Sequence, residues 1–234
     1  MRLISSVVEN LKGILNRYFL YIFVFLILLH LVVIIFNLMP GEGPDGQGYL
    51  EKGARYIKGS DLSGKEIFGE RSYWPPLWIL IIALIFYLLG ENPIFISLFL
   101  LTVTCLTAYL IYLLGKRLLG ASVGQLGGIL FLASFMTFKF VNNHQYELLL
   151  AFLVLLTFTI LFKSRAKWSD IFLAGISWGF VGLCSPKVLI FSPVFFVLFY
   201  QKEQLRKTFQ KFITFGIFIF LVILPWTVRN YLSS

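Results

Sequence analysis

Residues 18–49 read YFLYIFVFLILLHLVVIIFNLMPGEGPDGQGY, and this stretch decides the fold. Its first part, 18–38, is apolar and long enough to cross the ~30 Å hydrocarbon layer of a bilayer as a helix at about 1.5 Å per residue. Its second part, from Pro40 to Tyr49, switches to proline, acid and glycine, with four glycines within eight residues around Asp45. A carboxylate placed where a hydrocarbon-buried helix meets water can touch a lipid-borne headgroup and a water-borne acceptor at once. The glycines and Pro44 turn the backbone tightly and let a ligand come close. Asp45 is therefore the candidate catalytic residue. Its plainer role is to N-cap the helix whose spacing resumes over Tyr49–Ile57, and the two roles can coexist.

The rest of the chain extends the first half of that pattern. Hydrophobic residues make up 59% of the 234 and charged residues 13%, and apolar runs of bilayer-spanning length recur. The class is all-α, a polytopic membrane helix bundle. The net charge of +9 does not indicate nucleic acid, because the basic residues sit in short clusters between apolar runs, the pattern that orients helices in membranes. Cys105 and Cys184 have no histidine or second cysteine at metal-ligand spacing. Residues 1–17 place Ile4, Val7, Val8, Leu11, Ile14 and Leu15 on one helical face beside Arg2, Lys12 and Arg17, which reads as a cytoplasmic interfacial helix or a helical lead-in to the span. Since no small-residue cleavage site follows 18–38, that run is expected to be an uncleaved signal anchor.

Apolar segments fall near 18–38, 75–89, 94–115, 121–138, 147–162, 170–184, 187–200 and 212–226. The second has about 15 residues, below the usual spanning length, and opens with Trp74-Pro75-Pro76 at an interface. Lysine and arginine in short loops settle its status. If 75–89 dips in and returns, twelve basic residues lie inside and three outside; if it spans, six lie inside and nine outside. The sequence thus predicts about seven spans in a module over 18–234, a cytoplasmic N-terminus, and an external loop from 39 to 93 holding the re-entrant or interfacial helix.

That topology gathers the chemistry-bearing residues on the external face. Lys187, after Ser185-Pro186 between two apolar runs, is costly there without an anion or a route to snorkel, and phosphate is the obvious anion. Arg229, after the last span, reads as a forked phosphate donor or as an aromatic-and-arginine anchor. His144 and Glu147 lie one helical turn apart and are expected to face one cavity, with Asn142, Asn143 and Tyr146 as polar partners. Arg71 and Tyr73 precede the re-entrant Trp74-Pro75-Pro76 within reach of a headgroup. One histidine with one nearby acid is a thin basis for a metal site.

In order and spacing the chain resembles a known family. Asp45 just outside the first span, then Tyr49, Tyr56 and Gly59, then Tyr73-Trp-Pro-Pro-Leu77, then Leu113-Leu-Gly-Lys-Arg-Leu-Leu-Gly120 look like the N-terminal module of membrane glycosyltransferases with the GT-C fold. The nearest likeness is to the protein O-mannosyltransferase and aminoarabinose-transferase branch. Glu147 opening a span, Gly182-Leu-Cys-Ser-Pro-Lys187, and Pro225-Trp-Thr-Val-Arg-Asn230 agree with it. The resemblance implies sugar transfer from a polyprenyl-phosphate donor to a hydroxyl of a glycan, lipid or protein on the external face of a cell-envelope membrane. By it Asp45 matches the family's catalytic aspartate, and Lys187 a position that helps bind the donor phosphate. With Arg229 on the same phosphate, Tyr49, His144 and Glu147 are expected to shape the sugar or acceptor pocket. Gly46 stands where the family shows a second acidic residue, so a divalent metal is compatible with the resemblance but not implied by it, and no other cofactor is called for. The alternative reading is a non-catalytic module that binds lipid-linked sugar or assists a larger transferase; a small transporter fits less well, since the spans carry few mid-membrane charges.

Overall fold

Hydrocarbon offers no hydrogen-bond partner to the backbone, so a chain this apolar must satisfy its peptide groups within helices. The computed structural model describes residues 2–36, 38, 44–57, 76–162, 167–200 and 205–233, of which 2–12, 14–16, 44–45 and 232–233 through the backbone alone. Among the described residues the regular elements are all helical: α1 (Arg2–Ile35), α2 (Pro44–Ile57), α3 (Pro76–Leu89), α4 (Pro93–Leu118), α5 (Ala121–Ala133), α6 (Phe135–Asn142), α7 (Glu147–Leu161), α8 (Trp168–Cys184), a 3₁₀ segment (Pro186–Phe191), α9 (Val194–Phe199) and α10 (Leu205–Ser233). The molecule is the all-α membrane helix bundle expected from composition.

Two interhelix bonds set the directions. Ser97 Oγ meets His144 Nε2 at 3.1 Å, and Arg117 Nη1 donates to the Thr159 carbonyl at 2.9 Å. Helices α4 and α7 therefore run parallel, from what is here termed the His144 end to the Arg117 end. Helix α1 runs opposite to α4: the Phe19 and Tyr112 rings lie 5.5 Å apart near the Arg117 end, and Ile34 shares a cavity with Pro93 and Ser97 near the other. α5 returns against α4 after Gly120 (φ 105°), where an L side chain would be strained. Gly124 lets the hairpin close, because a Cβ there would meet the Lys116 nitrogen at 2.7 Å. α6 is bent 50° from α5. At that break the buried His30 bonds the Leu132 carbonyl at 3.0 Å and stacks on Phe138 at 3.7 Å, answering a carbonyl the helix no longer uses.

Beyond α7 a short connection starts α8 at the Arg117 end, so α8 ends at the His144 end. α10 packs parallel to it along a stripe of small residues. A Cβ on Gly175 would meet Phe215 and Phe218, on Gly179 Val222 and Ile219, and on Gly182 Ile223, with both numberings rising together. Without side chains in the seam, the two backbones approach closely enough for dispersion to hold them in lipid.

α3 is short and apolar all round, and Trp78, Ile79, Ile82, Ala83 and Phe86 are buried. Trp78 in its first turn donates to the His144 carbonyl at 3.0 Å, and Pro93, just beyond it, offers its carbonyl to the His144 ring. Both flanks of α3 thus lie at the same end, and its 14 residues reach only about 21 Å. A helix of that length falls short of the ~30 Å hydrocarbon layer.

α1 is one helix of 34 residues, which fits the second of the two readings of residues 1–17, a helical lead-in to the span. The run 187–200 differs from the sequence reading, because it is not one helix: Ser192 and Pro193 part the 3₁₀ segment from the six-residue α9. Prolines 186 and 193 lack the N–H that a continuous helix needs. Among the described residues three helices are long and apolar enough to cross a membrane, Arg17–Ile35, Pro93–Leu118 and Leu205–Tyr231, and the bent pair α5–α6 has that length and composition only if its two helices are taken together. The seven-span count therefore rests on the hydropathy of shorter segments, not on helix length.

Candidate functional site

The polar residues of this apolar chain collect at the corner between α6 and α7. Asn143 closes α6 by donating its N–H to the Lys139 carbonyl, and Asn142 Nδ2 donates to the Phe138 carbonyl at 2.8 Å. His144 then takes φ 52°, in the left-handed region where a non-glycine residue costs about 1–3 kcal/mol. Three contacts hold it: Trp78 on its carbonyl, and Ser97 and the Pro93 carbonyl on its ring. Burial drives the ring pKa down to about 4, against the opposing pull of Pro93. The imidazole is therefore neutral at physiological pH.

His144 and Glu147 do not lie on one helical turn as the spacing led us to expect. The left-handed turn at His144 ends the helical path, and α7 begins at Glu147, which stands half-buried in its first turn. His144 faces a cavity of about 370 Å³ that Gln47, Asn92, Pro93, Ser97 and Asn142 also line. These groups offer neutral donors and acceptors to an uncharged ligand.

The acidic loop proves partly helical. α2 starts at Pro44, whose fixed φ suits the first helical position, so Asp45 stands in the first turn rather than in a loop. The next residue anchors that turn: a Cβ on Gly46 would overlap the Asn143 carbonyl. Only glycine allows α2 to dock on the His144 corner this way. Further along, Gly53 seats α2 on Ile82 of α3. Tyr49 is buried, its ring edge-on to Tyr146 at 6.0 Å. Asp45 is thereby one residue from the backbone contact that borders the cavity.

Lys187 and Arg229 stand at the same end of the parallel pair α8 and α10. Lys187 is exposed on the second residue of the 3₁₀ segment, and Gly182, Leu189 and Ile223 meet just below it. Arg229 lies six residues beyond Ile223, about 9 Å along α10. Its Nη1 donates to Asn230 Oδ1 at 2.9 Å and its guanidinium stands 5.0 Å from the Trp226 ring, which fixes the fork in place. Arg71 and Tyr73 lie outside the described residues.

Gln47, Trp78, Asn92 and Ser97 were not singled out by sequence reasoning. A lone serine within the apolar run 94–115 was the available signal, since a hydroxyl in hydrocarbon needs a partner; nothing local revealed that the partner was His144. Among the described residues no three His, Cys, Asp or Glu side chains are placed to share a metal ion.

The sequence profile of a family described as dolichyl-phosphate-mannose-protein mannosyltransferase matches residues 74–228, two-thirds of the chain. The matched region contains His144, Glu147 and Lys187, ends next to Arg229, and begins after α2. No curated protein and no solved structure matches the chain.

Proposed function

The chain belongs to the dolichyl-phosphate-mannose-protein mannosyltransferase family, membrane glycosyltransferases of the GT-C type, and we propose that it moves a sugar from a polyprenyl-phosphate donor to an acceptor hydroxyl at the His144 end. One observation carries this reading. The first turn of α2, the neutral polar cavity and the two cations Lys187 and Arg229 all belong to one end of the bundle. We place that end outside the cell, because Arg17, Lys116, Arg117, Lys167, Arg206 and Lys207 collect at the other end and basic residues are retained on the cytoplasmic side.

In this mechanism the Asp45 carboxylate takes the proton of the acceptor hydroxyl as its oxygen attacks the anomeric carbon. The bond from that carbon to the phosphate oxygen breaks, and its electron pair leaves with the prenyl phosphate. Lys187 and Arg229 offset the charge on the departing phosphate. The uncharged sugar hydroxyls exchange hydrogen bonds with Gln47, Asn92, Ser97, Asn142 and His144. Glu147 and the Tyr49–Tyr146 pair form the surrounding wall.

Reconstitution tests this. Purified protein in vesicles that hold a prenyl-phosphate-linked mannose donor, supplied with hydroxyl-bearing peptide or glycan acceptors, is expected to transfer sugar on the side bearing α2. Donor retained without any sugar release, across acceptors, moves the chain to the alternative of a non-catalytic module that binds lipid-linked sugar.

A further inference from the structure

The pair α5 and α6 bends by 50° with no local reason to do so. Sharp bends in helices usually sit at proline or glycine, yet residues 129–142 contain neither. Ser134 precedes α6 without a capping hydrogen bond from its side chain, and Ala133, Ser134, Phe135 and Met136 could all continue a helix. The bend is therefore held from outside the pair.

His30 of α1 holds it. In an unbroken helix the Leu132 carbonyl would accept from the Met136 N–H four residues on; here it accepts from His30 Nε2 at 3.0 Å. On the far side of the bend the same imidazole lies flat on the Phe138 ring, 3.7 Å away with the planes 1° apart. One side chain thus grips α5 by a hydrogen bond and α6 by a stack. It is fully buried, and its Nδ1 meets no hydrogen-bond partner among the described residues. An imidazole is costly to bury in a membrane span for packing alone. Thr137 supports the break from within, its hydroxyl donating to the Phe131 carbonyl at 2.7 Å.

The bend carries the polar corner. Asn142, one turn beyond Phe138, bonds the Phe138 carbonyl and lines the 370 Å³ cavity together with His144. Ile34, one turn along α1 from His30, lines the same cavity. α6 has eight residues, so straightening the bend would swing its far end by about 10 Å, at 1.5 Å of rise per residue. We propose that His30 is a positioning residue: by taking the Leu132 carbonyl it keeps α5 and α6 bent, and so holds Asn142 and His144 at the cavity without lining it. Its effect on catalysis rests on the sugar-transfer reading above; its effect on the bend does not.

The test reads the bend in the full chain, in phosphatidylcholine vesicles, with Cys105 and Cys184 replaced by alanine. Nitroxide labels go on Lys139→Cys of α6 and Leu88→Cys of α3, both exposed, and pulsed electron spin resonance gives their separation. His30→Leu, which removes the donor, is expected to shift that separation by about 5 Å, as a swing at mid-α6 requires. The second variant is Phe135→Pro. Ser134, at φ −65° and ψ 130°, already has the backbone that a following proline needs, and a proline at the first position of α6 forbids a continuous helix. Phe135 is 61% exposed, so little packing is lost.

Added to His30→Leu, Phe135→Pro is expected to restore the wild-type separation, and to restore folding if His30→Leu alone does not fold. A wild-type separation in His30→Leu, or a double variant that stays displaced or unfolded, overturns the proposal. If transfer is seen, His30→Leu is expected to lower kcat/KM about tenfold and the proline to bring it back, which a lost packing contact would not allow. The labels report without substrate: a bend that follows His30 in a protein with no turnover removes the enzyme reading alone, and turnover with a bend indifferent to His30 removes the positioning role alone.

Discussion

The polar corner at His144 and an apolar groove behind Lys187, walled by Val154, Phe158, Trp178, Val188 and Phe195, both touch α7, yet they are built by opposite rules. At the corner the helices stop, and freed polar groups find partners: the His144 carbonyl in Trp78, its ring in Ser97 and Pro93, the end of α6 in Asn142 and Asn143. In the groove the helix also breaks, at Ser192 and Pro193, but the Ser192 hydroxyl is taken by Trp178 and the walls are aromatic and valine carbon. A broken helix in a membrane can therefore make a recognition site or a greasy slot, depending on whether its loosened groups face a cavity or the protein.

That contrast can be broken experimentally, beginning at the corner. Asp45→Asn is expected to lower kcat by about 10²–10⁴-fold while the protein still inserts, since it removes a general base and keeps the shape. Turnover equal to wild type takes Asp45 out of the mechanism. Gly46→Val, which drives a side chain into the Asn143 carbonyl, is expected to lose activity as well, with Gly216→Ala, which has open space around it, as the neutral control.

Lower pH is expected to strike the corner next. The His144 pKa is lowered from its ordinary 6.5 to about 4 in the folded protein, so the unfolded chain binds the extra proton first. The stability it contributes is complete above pH 6.5 and is lost as pH falls through 4, by about 3 kcal/mol in all. Thermal unfolding of the detergent-solubilised protein across that window measures it, and a His144→Gln variant is expected to flatten the slope.

Lys187→Gln sharpens the contrast from the other side. It is expected to lower kcat/KM for the donor by about 10- to 100-fold, mainly through KM, as the loss of one charge-assisted contact of roughly 1.5–3 kcal/mol requires. An equal loss with acceptor as the varied substrate would falsify its assignment to the phosphate. Ser97→Ala is expected to have the smallest effect, about 1 kcal/mol of stability, because it removes one neutral hydrogen bond from the His144 ring.

Much of this was legible from residue order. Helical class and membrane residence followed from apolar run lengths and from the short basic clusters between them, because the bilayer imposes length and charge rules on each segment separately. The candidate cations at 187 and 229 stood out for a similar reason: a charge beside hydrocarbon is conspicuous wherever it occurs. Asp45 was visible as a residue, but its setting was misjudged. The run of glycines read as a loop, whereas α2 begins at Pro44. Gly46 is needed less for a turn than for the Asn143 carbonyl, a contact across nearly a hundred residues that no local spacing reveals.

The sequence by itself determined that the chain is a helical membrane protein and which charges border its apolar runs, since transfer free energy is set by each residue's own chemistry. Only the tertiary structure decided that α4 and α7 run parallel, that His144 leaves the helical path, and that the 187–200 run breaks into a slot. Those outcomes depend on which backbones can approach and which freed hydrogen bonds find partners, and such partners lie far apart along the chain.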